Sequence, residues 1–182
     1  MISPRYVLIE LLTGLLWAAF YLKFGLSLDL LFYLIFSAFL IPIAFIDLEH
    51  MIIPDILSYS GIAVGILLNF INGNYWDPIL GALLGAGFMF LVRIIGQLIY
   101  KQEALGEGDI VLEALFGAFL GMLGVTIAVF LGYIVGAIVG LGLLILKLKS
   151  GREAVPFGPL LIIGVLIYVF WGNIILSWYL RG

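Results

Sequence analysis

From Ile110 to Leu146 the chain is apolar throughout, interrupted by a single charged residue, Glu113. That run constrains the fold more than any other feature. It is far longer than the about 20 residues a helix needs to cross a bilayer. The glycines Gly121 and Gly124 offer a break, so the run predicts a short helix and then a second one over residues 125–146. Other apolar runs predict helices over residues 7–24, 28–46, 56–71, 79–100 and 160–179. Pro42 should kink the second, because it has no N–H for the helical ladder. The expectation is an all-α, polytopic membrane helix bundle of about seven transmembrane helices, forming one domain over residues 1–182 with no linker.

The chain is 65% hydrophobic and 10% charged, with a mean hydropathy of +1.30. Soluble domains of this length do not reach such values, and the runs do not alternate as barrel strands do. A net charge of −3 offers nothing to nucleic acid. No cysteine is present, which excludes disulfides, thiolate metal sites and a cysteine nucleophile, and one histidine cannot build a histidine-rich metal site. Glu10 lies inside the first apolar run with no small-residue cleavage site after it, so that run reads as a membrane helix. With seven spans and a cytosolic N-terminus, Arg5, Lys101, Lys147, Lys149 and Arg152 lie inside, against Lys23 and Arg181 outside. Positive charge favours the cytosolic side, which supports that orientation. It also places Asp47 and Asp109 on one side of the membrane. Glycines repeating at four (Gly61/Gly65, Gly81/Gly85, Gly117/Gly121, Gly132/Gly136/Gly140) suit close helix packing.

Two acids stand where chemistry is conceivable. Asp109 closes the polar break Gly106-Glu107-Gly108-Asp109, at the mouth of an apolar helix where a charge is unfavourable. Taken alone it reads as an N-cap. Asp47 ends the run over residues 28–46, at a helix C-terminus, the wrong end for an acid. Taken alone it reads as a solvated helix end. Brought together, two carboxyls cannot both ionise and share a proton; one then serves as base toward water and the other as acid toward a carbonyl oxygen. No other nucleophile and base are available, since Ser58 and Ser60 have no histidine in register. Both carboxyls should face a common cavity, bounded by the loop from His50 to Asp55 and by Val155 to Pro159. Gly106, Gly108, Asp55 and Pro156 are candidate lining residues. Glu113, one turn after Asp109, either lines the site or pairs with Arg93. Glu10 reads as a structural hydrogen-bonding group, His50 as a solvated loop residue and Asp55 as the cap of the third helix.

Ala44-Phe45-Ile46-Asp47 with Ile53-Pro54-Asp55 resembles the first aspartate motif of bacterial type IV prepilin peptidases. Gly106-Glu107-Gly108-Asp109, with Leu112 and Gly117-Ala118-Phe119-Leu120-Gly121, resembles the second. The segments Ser3-Pro4-Arg5-Tyr6, Glu10-Leu11-Leu12-Thr13-Gly14 and Pro156-Phe157-Gly158-Pro159 are also similar to that family, so the resemblance covers nearly the whole chain. It implies an aspartic endopeptidase of the bacterial inner membrane, with Asp47 and Asp109 as the catalytic pair. Prepilins and type II secretion pseudopilins would be its substrates, cut at the cytosolic face after a glycine that precedes the apolar pilin helix.

Two departures stand out. Val111 occupies the place where the family often has lysine. Larger members carry a further N-terminal helix and a cytosolic domain with zinc-binding cysteines; this chain begins where that domain would end and reads as a truncated piece or a short natural form. No metal is therefore expected. Family members often methylate the new N-terminus with S-adenosylmethionine, using residues usually placed in that domain, so proteolysis, which needs no cofactor, is the activity expected here. Presenilin-like and signal-peptide-peptidase-like proteases share G-x-G-D but pair it with tyrosine-aspartate, and Ile46 precedes Asp47. A small carboxylate-based transporter would show a repeat between halves and a pair of broken helices, and neither is evident.

Overall fold

The computed structural model describes residues 4–100, 106–146 and 155–181. Among them are six α-helices and no strand: α1 (Pro4–Phe24), α2 (Leu28–His50), α3 (Asp55–Ile71), α4 (Trp76–Tyr100), α5 (Glu107–Ile145) and α6 (Gly158–Arg181). The fold is an all-α, polytopic membrane helix bundle. The basic residues Lys101, Lys147, Lys149 and Arg152, on which the expected orientation leans, lie outside the described residues.

The chain divides into two compact units, residues 1–42 and 43–182, with the boundary at Pro42 inside α2. In the first unit, Gly25 ends α1 in the left-handed region (φ 62°), which a residue without a Cβ adopts freely. Its N–H donates to the Tyr21 carbonyl at 2.8 Å. Ser27 then caps α2, its hydroxyl accepting the Leu30 N–H. The Trp17 indole N–H donates to the Ser37 hydroxyl at 3.1 Å, and Phe24 stacks on Tyr33 with centroids 4.7 Å apart.

The second unit is organised around α5, against which α3, α4 and α6 all pack. Glycine faces permit this. A Cβ on Gly81 would strike the backbone of Gly117 and Gly121, one on Gly85 the backbone of Glu113, and one on Gly164 the backbone of Gly132 and Ala128. Without side chains at these points the helices close to backbone contact, which is how apolar helices gain dispersion energy in lipid.

α5 is not straight. Gly121 has φ 70° and ψ −176°, a region essentially restricted to glycine. The Tyr133 hydroxyl donates to Glu113 Oε1 at 3.1 Å, although the two lie twenty positions apart in sequence. In a continuous helix those residues would stand about 30 Å apart, so the arm over residues 122–145 folds back along the arm over 107–120. The break between Gly121 and Gly124 expected from sequence is therefore present at Gly121. Among the described residues five helices are long and apolar enough to cross a membrane, with the two arms of α5 counted as one, while α3, with 17 residues, is shorter.

The backbone groups freed by the reversal are satisfied from the last turn of α3 and the first turn of α4. The Met122 N–H donates to Asp77 Oδ1 at 3.0 Å, and the Asn69 amide donates to the carbonyls of Ala118 (3.0 Å) and Phe119 (3.3 Å). In lipid such groups have no water to turn to, so a broken helix survives only where protein supplies the partners.

Candidate functional site

Asp47 and Asp109 are both buried, at 5% and 8% exposure, and both line one cavity of about 440 Å3. Around them stand Ile52 and Ile53 from the α2–α3 connection, Asp55 at the start of α3, Gly106, Glu107 and Gly108 from the start of α5, and Pro156 and Phe157 from the segment before α6. Gly106, Gly108, Asp55 and Pro156 thus all line the cavity that holds the two aspartates. Glu113 does not; it lines a second cavity.

α2 runs beyond its predicted end, to His50, so Asp47 lies one turn inside the helix rather than at its close. The helix stops where Met51 takes φ 54°, an uncommon conformation for a residue with a side chain. Pro54 follows, and it disfavours helix in the residue before it. The Met51 N–H returns to the Asp47 carbonyl at 2.8 Å. Pro54 occupies the N-cap of α3 without a side-chain cap bond, so Asp55 is not the cap; it sits in the first helical turn, facing the positive end of the helix dipole.

The second acid is placed by its glycines. A Cβ on Gly108 would lie 2.8 Å from the Ile53 Cβ, so only glycine lets the α2–α3 connection settle over this turn. Gly106, the N-cap of α5, directs its backbone N–H to the Asp109 carboxyl, which lies in the first turn of that helix. Arg93 of α4 fixes the same turn from outside. Both its terminal nitrogens lie 3.1 Å from Glu107 Oε1. Arg93 therefore pairs with Glu107, not with Glu113 as one of the two sequence readings allowed.

Asp47 sits against the dipole of its own helix, yet another helix compensates. Gly158, the first residue of α6, donates its backbone N–H to Asp47 Oδ2 at 2.9 Å. A Cβ at Gly158 would come within 2.8 Å of the same oxygen. Each aspartate thus meets a helix N-terminus, Asp109 that of α5 and Asp47 that of α6, where backbone N–H groups favour negative charge. Gly158 is a residue that sequence reasoning did not single out as part of the site; its only signal was its place in Pro156-Phe157-Gly158-Pro159. Glu107, read only as part of the motif, is the partner of Arg93.

The remaining candidates lie apart from this cavity's lining. His50 is exposed beside Glu49, at 3.9 Å. Glu10 is exposed on α1. Ser58 is fully buried, its hydroxyl directed to the Pro54 carbonyl at 3.2 Å. Among the described residues no group of three or more histidine, cysteine, aspartate or glutamate side chains is arranged to hold a metal. The arrangement that remains is two shielded carboxyls, each beside a helix N-terminus, facing one cavity of about 440 Å3.

Residues 34–141, which include both aspartates, match the type IV leader peptidase family. The chain is 35% identical to a prepilin leader peptidase/N-methyltransferase of Aeromonas hydrophila, over all of this chain and 63% of that protein. It is 37% identical to a protein of the same name from Legionella pneumophila, over 98% of this chain and 63% of the relative. A third, from Myxococcus xanthus, is 37% identical over 82% of this chain and 45% of its own length. The chain thus spans somewhat under two thirds of the length of the first two relatives and less than half of the third. No solved structure matches it.

Proposed function

This chain belongs to the type IV leader peptidase family, and we propose on that footing that it is a membrane-embedded aspartic endopeptidase that removes the leader of type IV prepilins and related pseudopilins. The reading rests on one observation above the others: Asp47 and Asp109, far apart in sequence, line the same cavity, each buried and each held by a backbone N–H at a helix start.

The pair works with one proton between its members. The ionised aspartate takes a proton from water as the water oxygen attacks the scissile carbonyl carbon; the protonated one gives its proton to the carbonyl oxygen. The resulting tetrahedral diol collapses, the C–N bond breaks, and a proton passes to the leaving nitrogen. A carboxylate and a new primary amine are released, so water is the only co-reactant. The cavity lies where polar helix ends meet apolar helices, which suits a substrate whose cleavage point immediately precedes an apolar helix. A glycine at that junction lets the substrate backbone approach two carboxyls that are themselves hemmed in by packed helices. We place this site at the cytosolic face of the bacterial inner membrane.

The test is a cleavage assay on a prepilin in detergent with Asp47→Asn and Asp109→Asn. The amide keeps the shape of the carboxyl but serves neither as base nor as proton carrier. Each variant should lose at least about 100-fold in rate, within the range by which general acid–base groups contribute, while remaining inserted and folded. Retention of most activity by either variant would remove the two-aspartate reading.

A further inference from the structure

The mechanism leaves one buried acid unused. Glu113 is fully buried, at 0% exposure. Its Oε1 accepts from the Tyr133 hydroxyl, whereas its Oε2 is shut off from solvent and has no hydrogen-bond partner among the described residues. Buried carboxyl oxygens are seldom left unpaired, and an orphaned one calls for an explanation.

Glu113 and Tyr133 line the second cavity, whose other walls include Leu84, Phe88, Val129 and Phe130. Its volume, about 170 Å3, has room for about five or six groups the size of water. Phe88 and Phe130 are 46% and 64% exposed, so the slot opens outward, which in a membrane protein is toward lipid. The Tyr133 ring meets Phe88 edge-on with centroids 5.9 Å apart, and packs on Phe157 at 5.4 Å. Phe157 lines the first cavity. The Tyr133–Phe157 contact therefore stands between the two cavities.

A ligand suited to this slot has an apolar stem and a head that donates hydrogen bonds. With Glu113 ionised, an anion or a lone carbonyl would find no donor at Oε2. An ammonium would meet a strong acceptor together with three aromatic rings, whose faces attract cations. Pairing would also give Oε2 the partner it lacks.

We infer that the second cavity is a binding site for a primary ammonium group carried on an apolar chain, with Glu113 Oε2 as its acceptor. Two sources share this chemistry. One is the amino headgroup of a membrane phospholipid. The other is the new N-terminus that peptide hydrolysis releases at the head of an apolar helix, and that source rests on the peptidase reading.

The probe is a hexylamine carrying a photoreactive diazirine, applied to the full chain in detergent, with crosslinked residues mapped by mass spectrometry. Labelling should fall on the α4 and α5 walls of the slot, be competed by hexylamine at least tenfold better than by hexanol, and weaken at least tenfold in Glu113→Gln. Thr126→Phe, which fills the slot from another wall and leaves Glu113 in place, should also abolish it, so the result does not hang on the folding of a Glu113 variant. Equal competition by hexanol, labelling unchanged in both variants, or labelling elsewhere would overturn the inference. Competition by a short apolar peptide with a free N-terminus, but not by its acetylated form, identifies the reaction product as the ligand. Competition by phosphatidylethanolamine, but not phosphatidylcholine, identifies lipid, and competition by neither overturns the inference. Prepilin cleavage by the unmodified chain is measured in parallel, so failure of the peptidase reading and failure of the ammonium site are separately visible.

Discussion

At the scale of single residues, glycine does more than loosen the chain at this site. Gly158 presents its N–H to Asp47 at 2.9 Å because nothing projects from its own Cα. Gly158→Ala should therefore push the carboxyl away and lose the bond. We expect kcat/KM on a prepilin to fall at least tenfold, about 1.4 kcal/mol in transition-state stabilisation, with little change in the amount of folded protein. An alanine variant with full activity would mean that this N–H does not position Asp47. The pair also makes a prediction about pH. The reaction needs one proton on the two carboxyls: adding a second removes the base and stops it at low pH, and removing the last stops it at high pH. The rate should follow a bell-shaped profile whose two limbs belong to the pair rather than to either aspartate. A rate flat across the tested range would exclude proton sharing.

At the scale of elements, α5 carries the burden. Its first arm begins with Asp109 and its second returns beside it, through a single residue in a conformation open to glycine. Gly121→Ala should destabilise the folded protein by about 1–3 kcal/mol, the usual cost of such backbone strain. Asp77→Ala should cost about 0.5–2 kcal/mol, as loss of a helix N-cap does, because Met122 would lose the acceptor of its N–H. Unfolding in detergent by denaturant titration measures both. If Gly121→Ala were neutral, the reversal would have to be reached by another backbone path. The glycines of this hairpin were legible in sequence as a break; their partners were not. Asn69 and Asp77 lie at the end of α3 and the start of α4, and nothing local in their surroundings marks them as donor and acceptor for α5.

At the scale of the whole molecule, a polytopic protein must present its site to one side of the membrane. The α2–α3 connection and the start of α5 line the same cavity, whereas the turn between α3 and α4 lies at the other end of α3. The chain has no cysteine, so single cysteines serve as reporters. Met51→Cys should react with a membrane-impermeant thiol reagent only when the cytosolic face is open. Asn74→Cys should react from the opposite face, in inverted versus right-side-out vesicles. Labelling of both positions from one side would show that α3 does not separate the two compartments.

The membrane helices, and the two aspartates as candidates, were legible in sequence because the controlling physics is local. In lipid a backbone must satisfy its own hydrogen bonds, so apolar runs become helices wherever they stand, and an acid beside such a run is conspicuous at once. Helix ends were set by equally local signals, although α2 ran on to His50 because Met51 accepted a left-handed turn before Pro54. What only the tertiary structure decided was partnership. Asp47, at the unfavourable end of α2, is compensated by the N-terminus of α6, more than a hundred residues away. Arg93 chose Glu107, and Glu113 turned to Tyr133, because glycine faces allow α4 and the two arms of α5 to close to backbone contact. Which side chains then meet depends on how the helices pack in three dimensions, and sequence spacing carries that only within one helix.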